Sequence, residues 1–274
     1  MGLLFALSPL LLAAGTPAPA ECNPIPGYEA VLADPTVRWI VIGEIHGTNE
    51  VPEIFADAVC LTARLRPLVV ALEQPASDQG AIDEFIASDG GAEARRKFLG
   101  APMWNSSIKD GRSSEAYFNL FERLRQMRAD RRVLSVVAFQ PTGLTERPTP
   151  AGYEKAMADQ LIAAAGDGAT VIALAGNAHA MRTEVPWGDR YLAMAGHLPR
   201  ESALAFNTVF DGGESWNCAG QPVVCGPSTS PIRGGPHARG VEMLQDDSPY
   251  SGVIYLGTPA TASPPQANPA ATPG

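Results

Sequence analysis

Lysine and arginine are scarce in this chain, 20 against 29 aspartates and glutamates, giving a formal net charge of −9 over 274 residues. A surface of that sign repels phosphate, which argues against nucleic acid and anionic membrane faces as partners. Long apolar runs are missing as well. Leu3 to Ala14 comes nearest, but Ser8 and Pro9 interrupt it and it falls short of the roughly 20 residues that span a bilayer. There is no Cys-x-x-Cys, which argues against a redox pair or a zinc knuckle, and no Cys-x-x-Cys-His, so any haem would be held non-covalently. Gly-x-Ser-x-Gly is absent, so no serine nucleophile is indicated. His-Glu-x-x-His is absent too, so metal ligands would have to come from separate elements.

The first 20 residues hold no charge and end in Ala18-Pro19-Ala20, a small-residue cleavage site. They lack the usual basic start, yet they read as a secretory signal removed from an exported, periplasmic or secreted protein. The four cysteines fit that compartment, since an even count in an exported chain indicates disulfides. Of three possible pairings, Cys22–Cys60 and Cys218–Cys225 are expected.

The remainder is sized for one α/β domain, residues 21–257. The most informative stretch is Trp39-Ile40-Val41-Ile42-Gly43-Glu44-Ile45-His46-Gly47. An apolar run bounded by turn residues reads as a buried strand, and two polar residues two apart at its end point to one face. Leu68–Leu72 forms a second such run, ending in Glu73-Gln74-Pro75. Val133–Phe139 ends in Gln140, and Thr170–Ala175 leads into Gly176-Asn177-Ala178-His179. Ala203–Val209 and Val253–Leu256 complete the strands, the last as a short edge. Strand, helix and strand at this spacing give parallel pairing, so the fold class is α/β: a mostly parallel sheet, helices on both faces. Thr48 or Asn49 is placed to cap the first helix. Residues 77–130, helical in pattern around an irregular Gly100–Ser114, form an insertion with the character of a helical cap. Residues 211–240 read as loop. Residues 258–274, Pro/Ala-rich, read as a disordered tail, removable after Gly257 without loss of stability.

In an open parallel sheet ligands bind beyond the carboxyl ends of the strands. Glu44, His46, Glu73 and His179 all fall there, and form the candidate catalytic set. His46 is placed as general base on a water, with Glu44 or Glu73 orienting it and His179 facing the developing oxyanion or leaving group. The alternatives are a divalent metal on His46, His179 and Glu73, and haem with a histidine axial ligand. His197 and Tyr191, with Arg190, follow the fourth strand and are candidates for cofactor contact. His237 is assigned to a loop. The partner expected is a small-molecule or peptide substrate, with no membrane span once the signal is removed.

Gly43-Glu44-Ile45-His46-Gly47, Leu72-Glu73 and Gly176-Asn177-Ala178-His179 together resemble the motifs of the erythromycin esterase, ChaN and Tiki–TraB superfamily. The resemblance covers about residues 37–210. It implies an α/β fold with a helical cap and two Gly-x-x-His motifs serving one site. Esterase members are longer, Tiki-like members are metal-dependent peptidases, and ChaN-like members bind haem in iron uptake. By size and signal the ChaN-like branch is the closest match.

Overall fold

The structure is a computed structural model that describes residues 22–143, 148–166, 168–230 and 236–267. The signal segment and residues 268–274 lie outside the described residues. In chain order the elements are α1 (Tyr28–Ala33), β1 (Trp39–Glu44), α2 (Glu50–Ala63), β2 (Leu68–Pro75), α3 (Gln79–Ile86), α4 (Ala92–Leu99), α5 (Pro102–Asn105), α6 (Glu115–Ala129), β3 (Val133–Gln140), α7 (Pro150–Ala164), β4 (Thr170–Gly176), β5 (Ala203–Val209), β6 (Gly213–Ala219), β7 (Val224–Ser230), β8 (Gly240–Met243) and β9 (Gly252–Tyr255).

Every residue of β1 and β4 is buried, and β2 is buried over seven of its eight. Strands that read as continuous apolar runs need cover on both faces, and the two side-chain rows supply two cores. Ile40, Ile42, Val70, Leu72, Ile172 and Leu174 pack against α2, α3, α4 and α6. Trp39, Val41, Val69, Ala71, Val171 and Ala173 face Met157, Ala158 and Leu161 of α7. The sheet runs β3-β2-β4-β1-β5-β9-β8, parallel throughout except for β8 against β9. The α/β class with a mostly parallel sheet is therefore met. β1 and β2 are parallel but not adjacent, because β4 returns between them. Open edge β3 is blunted by the Gln79 side chain, which donates to Val136 O (2.9 Å) and accepts from Ala138 N (2.7 Å).

The insertion after β2 carries α3 to α6. Phe85 stacks on Phe98 at 4.3 Å, and Trp104 and Phe121 meet Phe98 edge-on at 5.3 and 4.9 Å. These rings join the same core as the strands, so the helices form part of one sheet face. Both expected disulfides form, Cys22–Cys60 and Cys218–Cys225, and among the described residues no cysteine is free.

Four sequence expectations are corrected. Residues 211–240 are not simply loop: β6 and β7 pair as an antiparallel hairpin with Cys218 opposite Cys225. The glycines and prolines of that stretch hide a short ladder closed by its own disulfide. β9 is not an edge strand, because β8 pairs outside it. The α2 cap is not made by a side chain; the amide of Asn49 goes instead to Thr261 Oγ1 (2.9 Å) and Ala262 O. Nor are residues 258–267 a free tail. Ala260 and Ser263 are buried, and the segment bridges to Thr48, Ser114 and Gly213. Its order comes from backbone hydrogen bonds, which an Ala/Pro/Thr composition does not advertise.

Candidate active site

The order β2-β4-β1 makes the three strands that carry Glu73, His179 and Glu44/His46 immediate neighbours. Glu44 lies beside Gly176 in the β1–β4 register. The middle strand thus ends in a residue with no side chain, and its neighbours' side chains close over it. A methyl group built on Gly176 would stand 3.2 Å from His46 Nε2 and 3.5 Å from both Glu73 Oε2 and His179 Cδ2. Gly176 has no positive φ, and neither has Gly43, where a methyl would lie 2.8 Å from Ala180 Cβ. Both glycines serve close approach rather than turn geometry.

Each imidazole is held by its own carboxylate. His46 Nδ1 donates to Glu44 Oε1 at 2.9 Å, the same-face pair that a spacing of two on an extended chain allows. His179 Nδ1 lies 2.8 and 2.9 Å from the two oxygens of Glu154, on α7. Ionised carboxylates only accept, so each Nδ1 carries its proton and each Nε2 is left as the working atom. Both Nε2 atoms face one group: His46 Nε2 is 3.8 Å from Glu73 Oε2, and His179 Nε2 is 3.8 Å from Glu73 Oε1. Glu73 is itself fixed by Arg112 Nη1 at 2.9 Å and by the Gly176 amide at 2.7 Å.

The electrostatics follow from this wiring. Burial alone would depress the His46 pKa, but Glu44, with Glu73 behind it, outweighs burial and the value is raised. His179 behaves alike: burial opposes, and Glu154 and Glu73 together raise it. Burial pushes Glu73 up, yet His46, His179 and Arg112 bring it below the ordinary carboxylate value. Tyr117, from α6, donates its hydroxyl to Glu44 Oε1, and its own pKa is driven well up by burial and by that carboxylate. Arg112 is anchored at its other edge by Asp110.

Three site residues escaped the sequence reading: Glu154, Arg112 and Tyr117. Glu154, Met157, Ala158 and Leu161 share one buried stripe of α7, so a carboxylate sits where an apolar residue is expected. That misfit was the available signal. Tyr117 lies on the corresponding stripe with Leu120, Phe121 and Leu124, where a buried aromatic gives no signal of function. Arg112 comes from an irregular loop that periodicity cannot place.

His197 and Tyr191 are not brought to this cluster. His197 ends a short 3₁₀ turn with its Nε2 buried and without a hydrogen-bond partner, and Tyr191 packs beside Met181, Val185 and Ala193. Arg190 is exposed and pairs with Glu184 at 3.6 Å. His237 stacks on Tyr255 at 4.2 Å, beside Asp211. Among the described residues no group of three His, Cys, Asp or Glu is placed to hold a metal ion, and both oxygens of Glu73 are already engaged.

The mostly parallel α/β fold is shared with solved structures of low sequence identity. The chain superposes on a variant of erythromycin esterase EreC in its open conformation with a TM-score of 0.62, over 88% of this chain and 94% of that one, at 12% identity. A succinoglycan biosynthesis protein matches at 0.62 over 87% and 91%, with 9% identity. A protein from Bacillus cereus matches at 0.58 over 88% and 92%, with 10% identity. The resemblance to this superfamily holds at the level of fold. No family model and no curated protein matches the chain in sequence.

Proposed function

We propose that the chain is an exported hydrolase that splits an ester or amide with a directly activated water. The observation that supports it is the pairing of two carboxylate-held imidazoles whose Nε2 atoms flank one shared carboxylate, Glu73. His46 Nε2 takes a proton from water as the water oxygen attacks the carbonyl carbon. The bond to the leaving oxygen or nitrogen then breaks, and protonated His179 gives its proton to that atom. One water is consumed, and the proton on His46 restores His179 directly or through solvent. Glu73 lies between the rings, so a positive charge on either is stabilised by the same group. Arg112 keeps Glu73 ionised and in place.

Export is supported by the two disulfides and by the spacing at the N-terminus. Cleavage after Ala20 leaves Cys22, which the bond to Cys60 requires. No helix among the described residues is long and apolar enough to cross a membrane.

The test is hydrolysis of p-nitrophenyl esters of graded acyl length and of alanyl p-nitroanilide by the mature protein, without added metal and after chelation. Turnover that survives chelation and is lost in His46→Gln is expected. No turnover of either class, or turnover that persists in His46→Gln, contradicts the reading.

A further inference from the structure

The segment after β9 is held to the site loops by hydrogen bonds from end to end. Asn49 N donates to Thr261 O (3.0 Å), and Thr261 holds Glu50 through N (2.9 Å) and Oγ1 (2.6 Å). Ser263 N donates to Gly47 O (2.9 Å), the carbonyl next to His46, which also accepts from Trp216 N (2.8 Å). Ser263 Oγ accepts from Ala116 N (3.0 Å), Pro264 O accepts from Glu115 N (2.9 Å), and Gln266 N donates to Ser113 O (2.9 Å).

The first amides of a helix lack partners inside it. In α6 the Ser114 hydroxyl serves Tyr117 N at 3.4 Å, while Glu115 and Ala116 are served by Pro264 and Ser263. A distant segment therefore caps the helix that carries Tyr117, the donor to Glu44. Residues 261–266 also tie the loop that follows His46 to the loop that follows Arg112. The chain touches itself there at two left-handed glycines, one after His46 and one before Arg112: a methyl on Gly111 would overlap the Gly47 backbone. Thr258 and Ala260 hold the turn before β6, and every loop that residues 261–266 grip serves the Glu44–His46–Arg112 side of the site. The Glu154–His179 side is built on α7 and the Met194 turn.

We infer that residues 258–267 form a strap that positions the His46 half of the site, with Ser263 as its central positioning residue. This stands independently of the hydrolase proposal, because it concerns where His46 is held rather than what it does.

The test is proton NMR of the mature protein at low temperature, following the two downfield imidazole Nδ1–H signals. The His46 signal is assigned by its absence in His46→Gln. In Ser263→Ala its exchange with water is expected to rise roughly tenfold, the change that loss of about one buried hydrogen bond allows, while the His179 signal stays put. Thr261→Val, on the exposed rim, should move the same signal in the same direction by less, and serves if Ser263→Ala does not fold. Tyr28→Phe, which removes a buried bond to Thr62 instead, should move neither. Equal acceleration of both histidine signals, or none in either strap variant, overturns the inference.

Discussion

The two halves of the site reach the same local geometry by different routes. His46 takes its carboxylate from two residues away on β1, and that carboxylate is gripped again by Tyr117. His179 takes its carboxylate from 25 residues away, on a helix on the other face of the sheet, and Glu154 also accepts from Met194 N at 2.8 Å. The first half is local and needs a strap to hold it; the second is long-range and is held by packed secondary structure. A carboxylate–imidazole pair is thus defined by what fixes its Nδ1, not by the spacing of its members.

The largest expected effects come from the imidazoles themselves. His46→Gln and His179→Gln should each lower kcat/KM by about 10²–10⁴, the usual size of an acid–base contribution, while leaving stability within about 1 kcal/mol. Next is Arg112→Met. It strips Glu73, a buried carboxylate, of its ion-pair partner and should destabilise by about 3 kcal/mol, read by urea unfolding. An unchanged midpoint would mean that the two histidines and the Gly176 amide suffice to hold Glu73.

Removal of residues 258–267 by truncation after Gly257 should cost a comparable amount, since several buried hydrogen bonds worth about 0.5–1.5 kcal/mol each disappear together. A melting temperature unmoved by truncation would return this segment to the status of a free tail.

The carboxylates that distinguish the halves are separated by a subtler measurement, the pH profile of kcat/KM. Both histidines hold their protons more tightly than an ordinary imidazole, so the bell should be centred above 6.5. Glu44→Gln lowers the affinity of the base for its proton and should move the acid limb down. Glu154→Gln does the same to the acid and should move the alkaline limb down, narrowing the bell. The limbs belong to the coupled pair, so it is their direction of movement that discriminates. Identical profiles for the two variants would remove the division of roles.

The smallest effect is on stability. The histidines bind protons more tightly folded than unfolded, so their contribution is full below about 6.5 and fades as pH rises through the higher folded value. Glu73 has the opposite sign: its contribution is present above its ordinary 4.5 and is lost as pH falls through the depressed folded value. Thermal melts from pH 4 to 9 should show a maximum between these windows, and the alkaline decline should vanish in the double histidine variant.

How much of this was legible follows the same division. Apolar runs ending in polar residues located β1, β2 and β4, and the two-residue spacing put Glu44 beside His46, because strand periodicity is a local property. That β4 lies between β1 and β2 is set by chain return, which no local pattern encodes. Glu154 and Tyr117 were hidden inside helical stripes, where only a polar group out of place betrays them. Arg112 and the Ser263 strap depend on loops whose placement is decided by hydrogen bonds to distant backbone. The disulfides were legible from an even cysteine count, with Cys22–Cys60 and Cys218–Cys225 expected among three pairings.

The central claim is that His46 and His179 act as one unit across Glu73. It is tested most directly by a double-mutant cycle on ester hydrolysis with His46→Gln, His179→Gln and the pair. The account predicts that the double variant is no slower than the slower single variant, because removing either ring already disables the unit. Losses that multiply, or a single variant with wild-type kcat/KM, would contradict it.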